Sequence, residues 1–163
     1  MSADFKKAEN EALNLIARQK IIFPPVNIDK IISSFGLGIE LRFFPDSLSD
    51  ISGFLDIKEK SIYINFKDSP QRQNFTKAHE LGHWLLHRQL FETNPKLQHM
   101  LRRENKNDTP EEKEANCFAA NLLIPPQMLK RAVIEFPWAN VEVLAKIFNV
   151  SKSYMAHRIT NVL

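Results

Sequence analysis

The residues best suited to chemistry are His79-Glu80-Leu81-Gly82-His83. On an α-helix, positions four apart share a face one turn apart, so two imidazoles can converge on one ion at about 2 Å each. Glu80 lies beside such an ion rather than on it. From there it can take a proton from water at the metal and return it to a leaving amine, which is the chemistry of peptide-bond hydrolysis. Random placement of the chain's 5 histidines and 12 glutamates predicts roughly 0.01 such patterns. The plain alternative is a surface helix with two incidental histidines.

Two histidines need a third protein donor. His87 continues the i, i+4, i+8 row but would stand about 12 Å from His79 along the axis, too far to share an ion. It reads as structural or as a wall of the cleft. Gln89 occupies the position where a longer three-histidine pattern would place its last histidine. The third donor is therefore expected to be a carboxylate on another helix, and Glu111, Glu112 and Glu114 cluster at the start of one. Thr109-Pro110-Glu111-Glu112 reads as a capping box, which assigns Glu112 to Thr109. Glu111 and Glu114 lie one turn apart, and helical angles do not choose between them. Each of these acids is also favourable simply for lying near a positive helix terminus.

The elements that must position these groups follow from periodicity and punctuation. Residues 5–20 read as a helix, and Pro24-Pro25 stops anything before it. Asn27 caps a second helix ending near Gly36. Ile39 to Phe43 alternates as a strand. Gly53 to Ile57 and Ser61 to Phe66 read as paired strands around Lys58-Glu59-Lys60, with Ile62, Ile64 and Phe66 on one face. The motif helix starts at an Asp68 or Ser69 cap with Pro70 in its first turn and extends to about Leu90. Phe75, Ala78, Gly82, Leu85 and Leu86 form its apolar stripe, with the histidines along one edge. Gly82 costs about 1 kcal/mol in mid-helix and reads as a point of close helix packing. Residues 93–108 read as a loop with a short helix. Further helices are expected at 110–123, ended by Pro125-Pro126, and at 127–135, 140–148 and 152–161.

The chain has 163 residues, 44% hydrophobic and 25% charged, the size and composition of one soluble domain spanning 1–163. Its one cysteine, Cys117, excludes an internal disulfide and suits a reducing compartment. No signal-peptide core and no apolar run of membrane-span length is present, so a cytoplasmic location and no membrane partner are expected. The net charge of +3 neither demands nor excludes nucleic acid.

Phe75 to His83, running on to Leu85-Leu86-His87, resembles the core signature of ImmA/IrrE-family metallopeptidases. So does Glu114-Ala115-Asn116-Cys117-Phe118-Ala119-Ala120-Asn121-Leu122-Leu123-Ile124-Pro125. The resemblance extends to Ser52-Gly53-Phe54-Leu55 and Tyr63-Ile64-Asn65 and covers about residues 20–160. It implies an α+β, mostly helical zincin-like domain with a small mixed sheet and one zinc ion. It also implies Glu114, which opens the second motif, as the third ligand beside His79 and His83, with Glu111 as the fallback and Glu80 as the catalytic base. Asn116 reads either as a partner of a ligand or as a surface amide. The resemblance implies a protein substrate: a helix-turn-helix transcriptional repressor of a mobile element, phage, toxin-antitoxin or stress system. An extended substrate can add to the sheet edge nearest the cleft, expected to be Ser61 to Phe66. An oxyanion stabiliser is also expected, for which His87 and His157 are weak candidates. Such a peptidase can be latent until an activator or its own substrate is present.

A second motif lies at 140–161. Leu144 to Ser151 followed by a helix resembles a repressor helix-turn-helix within the same domain. Asn149 suits the left-handed turn, Ser151 caps the next helix, and Lys152, Ser153, Tyr154, His157 and Arg158 could meet phosphates or bases. The rival reading is a metal-containing regulator that binds a repressor or DNA through these helices without cutting. A closed structural zinc site needs four protein ligands, and only three are named, which favours an enzyme.

Overall fold

Side-chain caps start six of the seven helices that lie wholly within the described residues of the computed structural model, which describes residues 2–34, 36–44, 50–98 and 108–163. Asp4 accepts from Lys7 N at 2.9 Å to open α1 (Phe5–Arg18), and Asn27 accepts from Lys30 N at 2.9 Å to open α2 (Ile28–Ile32). Ser69 opens α3 (Pro70–Thr93), and Thr109 opens α4 (Pro110–Leu123). The next helix, α5 (Pro126–Glu135), starts on Pro125-Pro126 without a side-chain cap. Asn140 and Ser151 open α6 (Val141–Phe148) and α7 (Lys152–Val162). Each cap satisfies an N–H that the first helical turn leaves without a partner. The expected helices are present with ends shifted by a few residues. Residues 95–98 are helical, as expected within 93–108; residues 99–107 lie outside the described chain.

The sheet has three strands, β1 (Glu40–Phe43), β2 (Gly53–Asp56) and β3 (Ser61–Ile64), in the order β1-β3-β2. β1 runs parallel to β3 and β2 antiparallel to it, so the sheet is mixed. The β2–β3 turn is closed by Asp56, whose carboxylate accepts from Glu59 N at 3.0 Å, and by Lys60 in the left-handed region (φ 49°). Ile62 and Ile64 are fully buried, but Phe66 is exposed. The strand ends before it, where the Asn65 side chain accepts from Lys67 N at 3.0 Å and turns the chain.

This topology corrects the expected peptide-binding edge. The stretch from Ser61 is the central strand, paired on both sides, and has no free edge. The edge beside α3 is β2. Asn65 N donates to Ser52 O at 2.8 Å, so by antiparallel alternation Gly53 and Leu55 turn their N–H and C=O away from β3. Gln98 Nε2 already donates to Leu55 O at 3.0 Å on that side. Gly53 is needed for the close approach: a Cβ there would stand 2.5 Å from Thr76 Cγ2 on α3 and 2.6 Å from Tyr63 O.

α3 is the axis of the fold. It packs on α4, on β2 and β3, and on α1 and α2. Its buried side is wider than the stripe expected from sequence and includes Leu81 and Trp84, while Leu85 and Leu86 are only partly buried. A helix covered on several sides needs no narrow apolar seam. Trp84 Nε1 donates to Leu37 O at 2.9 Å, and Lys77 pairs with Asp29 of α2 at 2.7 Å. Gly82 lets α4 come close, as expected: a Cβ would meet Phe118 Cδ1 at 3.0 Å and Ala115 Cα at 3.3 Å.

Candidate metal centre

Where α4 crosses α3, three donors meet. His79 Nε2 and His83 Nε2 stand 3.1 Å apart. His79 Nε2 is 3.1 Å from Glu112 Oε2, and His83 Nε2 is 3.1 Å from Glu112 Oε1. Donors held at about 2 Å from one tetrahedral ion lie roughly 3.3 Å from each other, so the triangle has the size one ion needs. Among the described residues, these three form the one His/Cys/Asp/Glu group with metal-site spacing.

The outer nitrogens explain why the inner ones fit a cation. His79 Nδ1 bonds Asn116 Oδ1 at 3.0 Å, which commits its proton to Asn116 and leaves a lone pair on Nε2 in the neutral ring. That lone pair faces a carboxylate oxygen and a second imidazole. Three electron-rich groups pressed together in a nearly dry corner repel one another unless a positive charge lies between them. Burial opposes charge at His79, but the bond to Glu112 and the field of Glu80 outweigh it and raise its pKa. Burial dominates at His83 and lowers its pKa to about 4, so the ring is neutral and ready to ligate. Burial alone would raise Glu112; its bonds to the two histidines hold it well below the ordinary carboxylate range.

Glu114, the expected third ligand, is turned elsewhere. Its Oε2 accepts from His87 Nε2 at 2.9 Å, and its Oε1 accepts from Asp4 N at 2.8 Å. The group with metal-site spacing holds Glu112 instead, and the fallback Glu111 is not in it either. The reason lies in the cap. Thr109 Oγ1 accepts from the backbone N of Glu112 at 3.3 Å, which leaves the Glu112 carboxylate free for the histidines. Glu112 and Asn116 are four apart and share the helix face that meets His79, whereas Glu114 faces round toward His87.

The triangle opens on a cleft of about 490 Å³ between α3, α4 and β2. Glu80 lines this cleft beside His79. Arg72, which sequence reasoning did not single out, also lines it, its Nε donating to Ser52 Oγ at 3.1 Å. Its place two turns before His79 was the available signal. Neither weak oxyanion candidate lines the cleft: His87 is buried behind His83, and His157 is exposed on α7, bonded to Asn161 at 3.1 Å.

A small mixed sheet beside a helix that carries two histidines and a glutamate, met by a carboxylate from a second helix, defines a metallopeptidase-like domain. The family model described as the IrrE N-terminal-like domain, a peptidase family, matches residues 36–160, and the chain belongs to that family. A Mycobacterium tuberculosis transcriptional regulator has the same fold, with a TM-score of 0.67 at 16% identity. The match takes in 95% of this chain and 46% of that one, so this chain spans about half the length of its structural relative. No curated protein matches the sequence. No described helix is long and apolar enough to cross a membrane.

Proposed function

We propose that this chain is a zinc-dependent endopeptidase that cuts a protein substrate, in particular a helix-turn-helix transcriptional repressor. The carrying observation is the 3.1 Å triangle of His79, His83 and Glu112 with Glu80 on the same cleft wall. The residues fit zinc, since two imidazoles and one carboxylate are the protein half of a hydrolytic site that keeps a position for solvent. A zinc ion held by His79, His83 and Glu112 would supply Lewis acidity toward a carbonyl and lower the pKa of water toward neutrality. Glu80, on the cleft wall beside His79, would take the proton from the attacking water and deliver it to the leaving amine. Asn116 holds the His79 ring at Nδ1, so that Nε2 is turned toward His83 and Glu112. The outward N–H and C=O groups of Gly53 and Leu55 receive the substrate as an added strand, with Gln98 giving up Leu55 O when it arrives. The repressor as substrate class is what the sequence resemblance implies, and a structural relative that is a transcriptional regulator supports a link to transcription. A reducing, cytoplasmic setting suits the single Cys117.

The test pairs metal content with cleavage. The wild-type protein, loaded with zinc and mixed with purified helix-turn-helix repressors, is expected to produce fragments from a single bond, read by mass spectrometry. Glu80→Gln should keep one equivalent of zinc and lose at least about 100-fold in cleavage rate. Equal rates for the two proteins would remove Glu80 from the mechanism. If the enzyme is latent, as the family resemblance allows, the fragments appear only with the cognate repressor or an activator, and generic substrates stay intact.

A further inference from the structure

We infer that His87 and Glu114 form a hydrogen-bonded relay that orients the metal-facing histidine His83, so that both are positioning residues for the ion rather than ligands or packing residues. This rests on the zinc-site reading above.

His83 Nδ1 lies 3.0 Å from His87 Nδ1. His87 Nε2 lies 2.9 Å from Glu114 Oε2, and the other Glu114 oxygen is fixed by Asp4 N at 2.8 Å. Two nitrogens facing each other can share only one proton. If His83 Nε2 holds an ion, its proton must be on Nδ1, so it donates to a bare Nδ1 on His87. The His87 proton is then on Nε2 and goes to Glu114. One tautomer is thus consistent at every link, and it leaves the His83 lone pair turned toward His79 and Glu112.

The setting makes the relay matter. His83 and His87 are each 4% exposed, and Phe91 covers both, with ring centroids at 5.6 and 5.8 Å. Water is poorly placed to take over an acceptor removed from this corner, so a lost partner leaves the His83 N–H unsatisfied. The two metal-facing histidines are served separately: Asn116 holds His79, and the pair His87–Glu114 holds His83.

The experiment measures zinc affinity by chelator competition, alongside the melting temperature of the metal-free proteins. His87→Leu should weaken zinc about 10- to 100-fold while the metal-free melting point stays within a few degrees. His87→Asn offers an oxygen near the position of Nδ1 and should recover affinity to within about threefold of wild type. If His87→Leu does not fold, the second pair decides: Glu114→Leu should weaken zinc and Glu114→Gln, which can still accept from His87, should not. A packing role would make His87→Asn no better than His87→Leu; that result, or a His87→Leu variant binding as wild type does, overturns the relay alone. A wild-type protein that binds no zinc overturns both this inference and the proposed function.

Discussion

Two helix pairs use their polar side chains in opposite ways. At the α3–α4 crossing, buried and half-buried polar groups turn toward one another: His79, His83 and Glu112 converge, with Asn116, His87 and Glu114 bonded behind them. In the α6–α7 pair, the polar groups diverge. Arg158 is turned inward to Ile124 O at 3.1 Å and Asn121 Oδ1 at 2.7 Å, and Tyr154 packs edge-on against Phe75. Lys152, Ser153 and His157 are exposed. The turn itself docks on α3, where Gln71 and Asn74 reach Asn149. Convergence of desolvated donors is expensive unless a ligand repays it, whereas inward bonds and scattered surface groups are how a helix pair is anchored to a core. The first region has the arrangement of a candidate site, whereas the second bonds the C-terminal helices to the core and to α3.

The sharpest way to break the comparison is to exchange the roles of two acids on one helix. Glu112→Gln removes the anionic oxygens from the donor triangle and should weaken zinc by more than about 100-fold, beyond what an outer partner contributes. Glu114→Gln should stay within about threefold, because its amide oxygen still accepts from His87. Metal titration of both variants checks this, and the reverse ranking would return the third-ligand role to Glu114.

That pair of residues also marks the limit of the sequence reading. The α3 histidines were legible because a helix fixes the geometry of positions four apart, and no distant contact can undo it. The caps were legible for the same reason, down to Asn149 in the left-handed region (φ 53°) and Ser151 opening α7. The choice among Glu111, Glu112 and Glu114 depends on the angle at which α4 crosses α3, a tertiary quantity set by Gly82 against Phe118 and Ala115. Local logic spent the Glu112 side chain on the cap, although the cap needed only its backbone N–H. Strand order was hidden similarly. Alternation finds β2 and β3 but does not say that β1 joins the far side of β3, which leaves β2 as the edge along the cleft.

A medium effect is expected at Arg158. Arg158→Leu keeps most of the side-chain volume but orphans Ile124 O and Asn121 Oδ1, two partners in a largely buried setting. The loss of charge-assisted bonds should cost about 2–3 kcal/mol. For a chain of this size that lowers the melting temperature by roughly 5–10 °C. Zinc affinity of the folded protein should be unchanged, because the guanidinium bonds the end of α4 rather than the turn bearing Glu112. Calorimetry and metal titration on the same preparation test both halves. An Arg158→Leu variant of normal stability would mean that α7 is held by its apolar face alone.

The smallest effect belongs to the outer face of α7. Lys152 meets Glu142 at 3.9 Å across an exposed surface, and His157 bonds Asn161 one turn further on. Exposed pairs of this kind contribute little, so Lys152→Ala with His157→Ala should change stability by less than about 1 kcal/mol and leave zinc bound. The same double variant separates support from recognition. If α7 read DNA, losing Lys152 would lower the slope of log affinity against log salt by about 1. With Tyr154 and Arg158 turned inward, too few groups remain outside to read a groove, and the expected result is an unchanged, weak and salt-sensitive background at every DNA sequence tried. A sequence-specific complex that the double variant abolishes would make the C-terminal helices a binding surface in their own right.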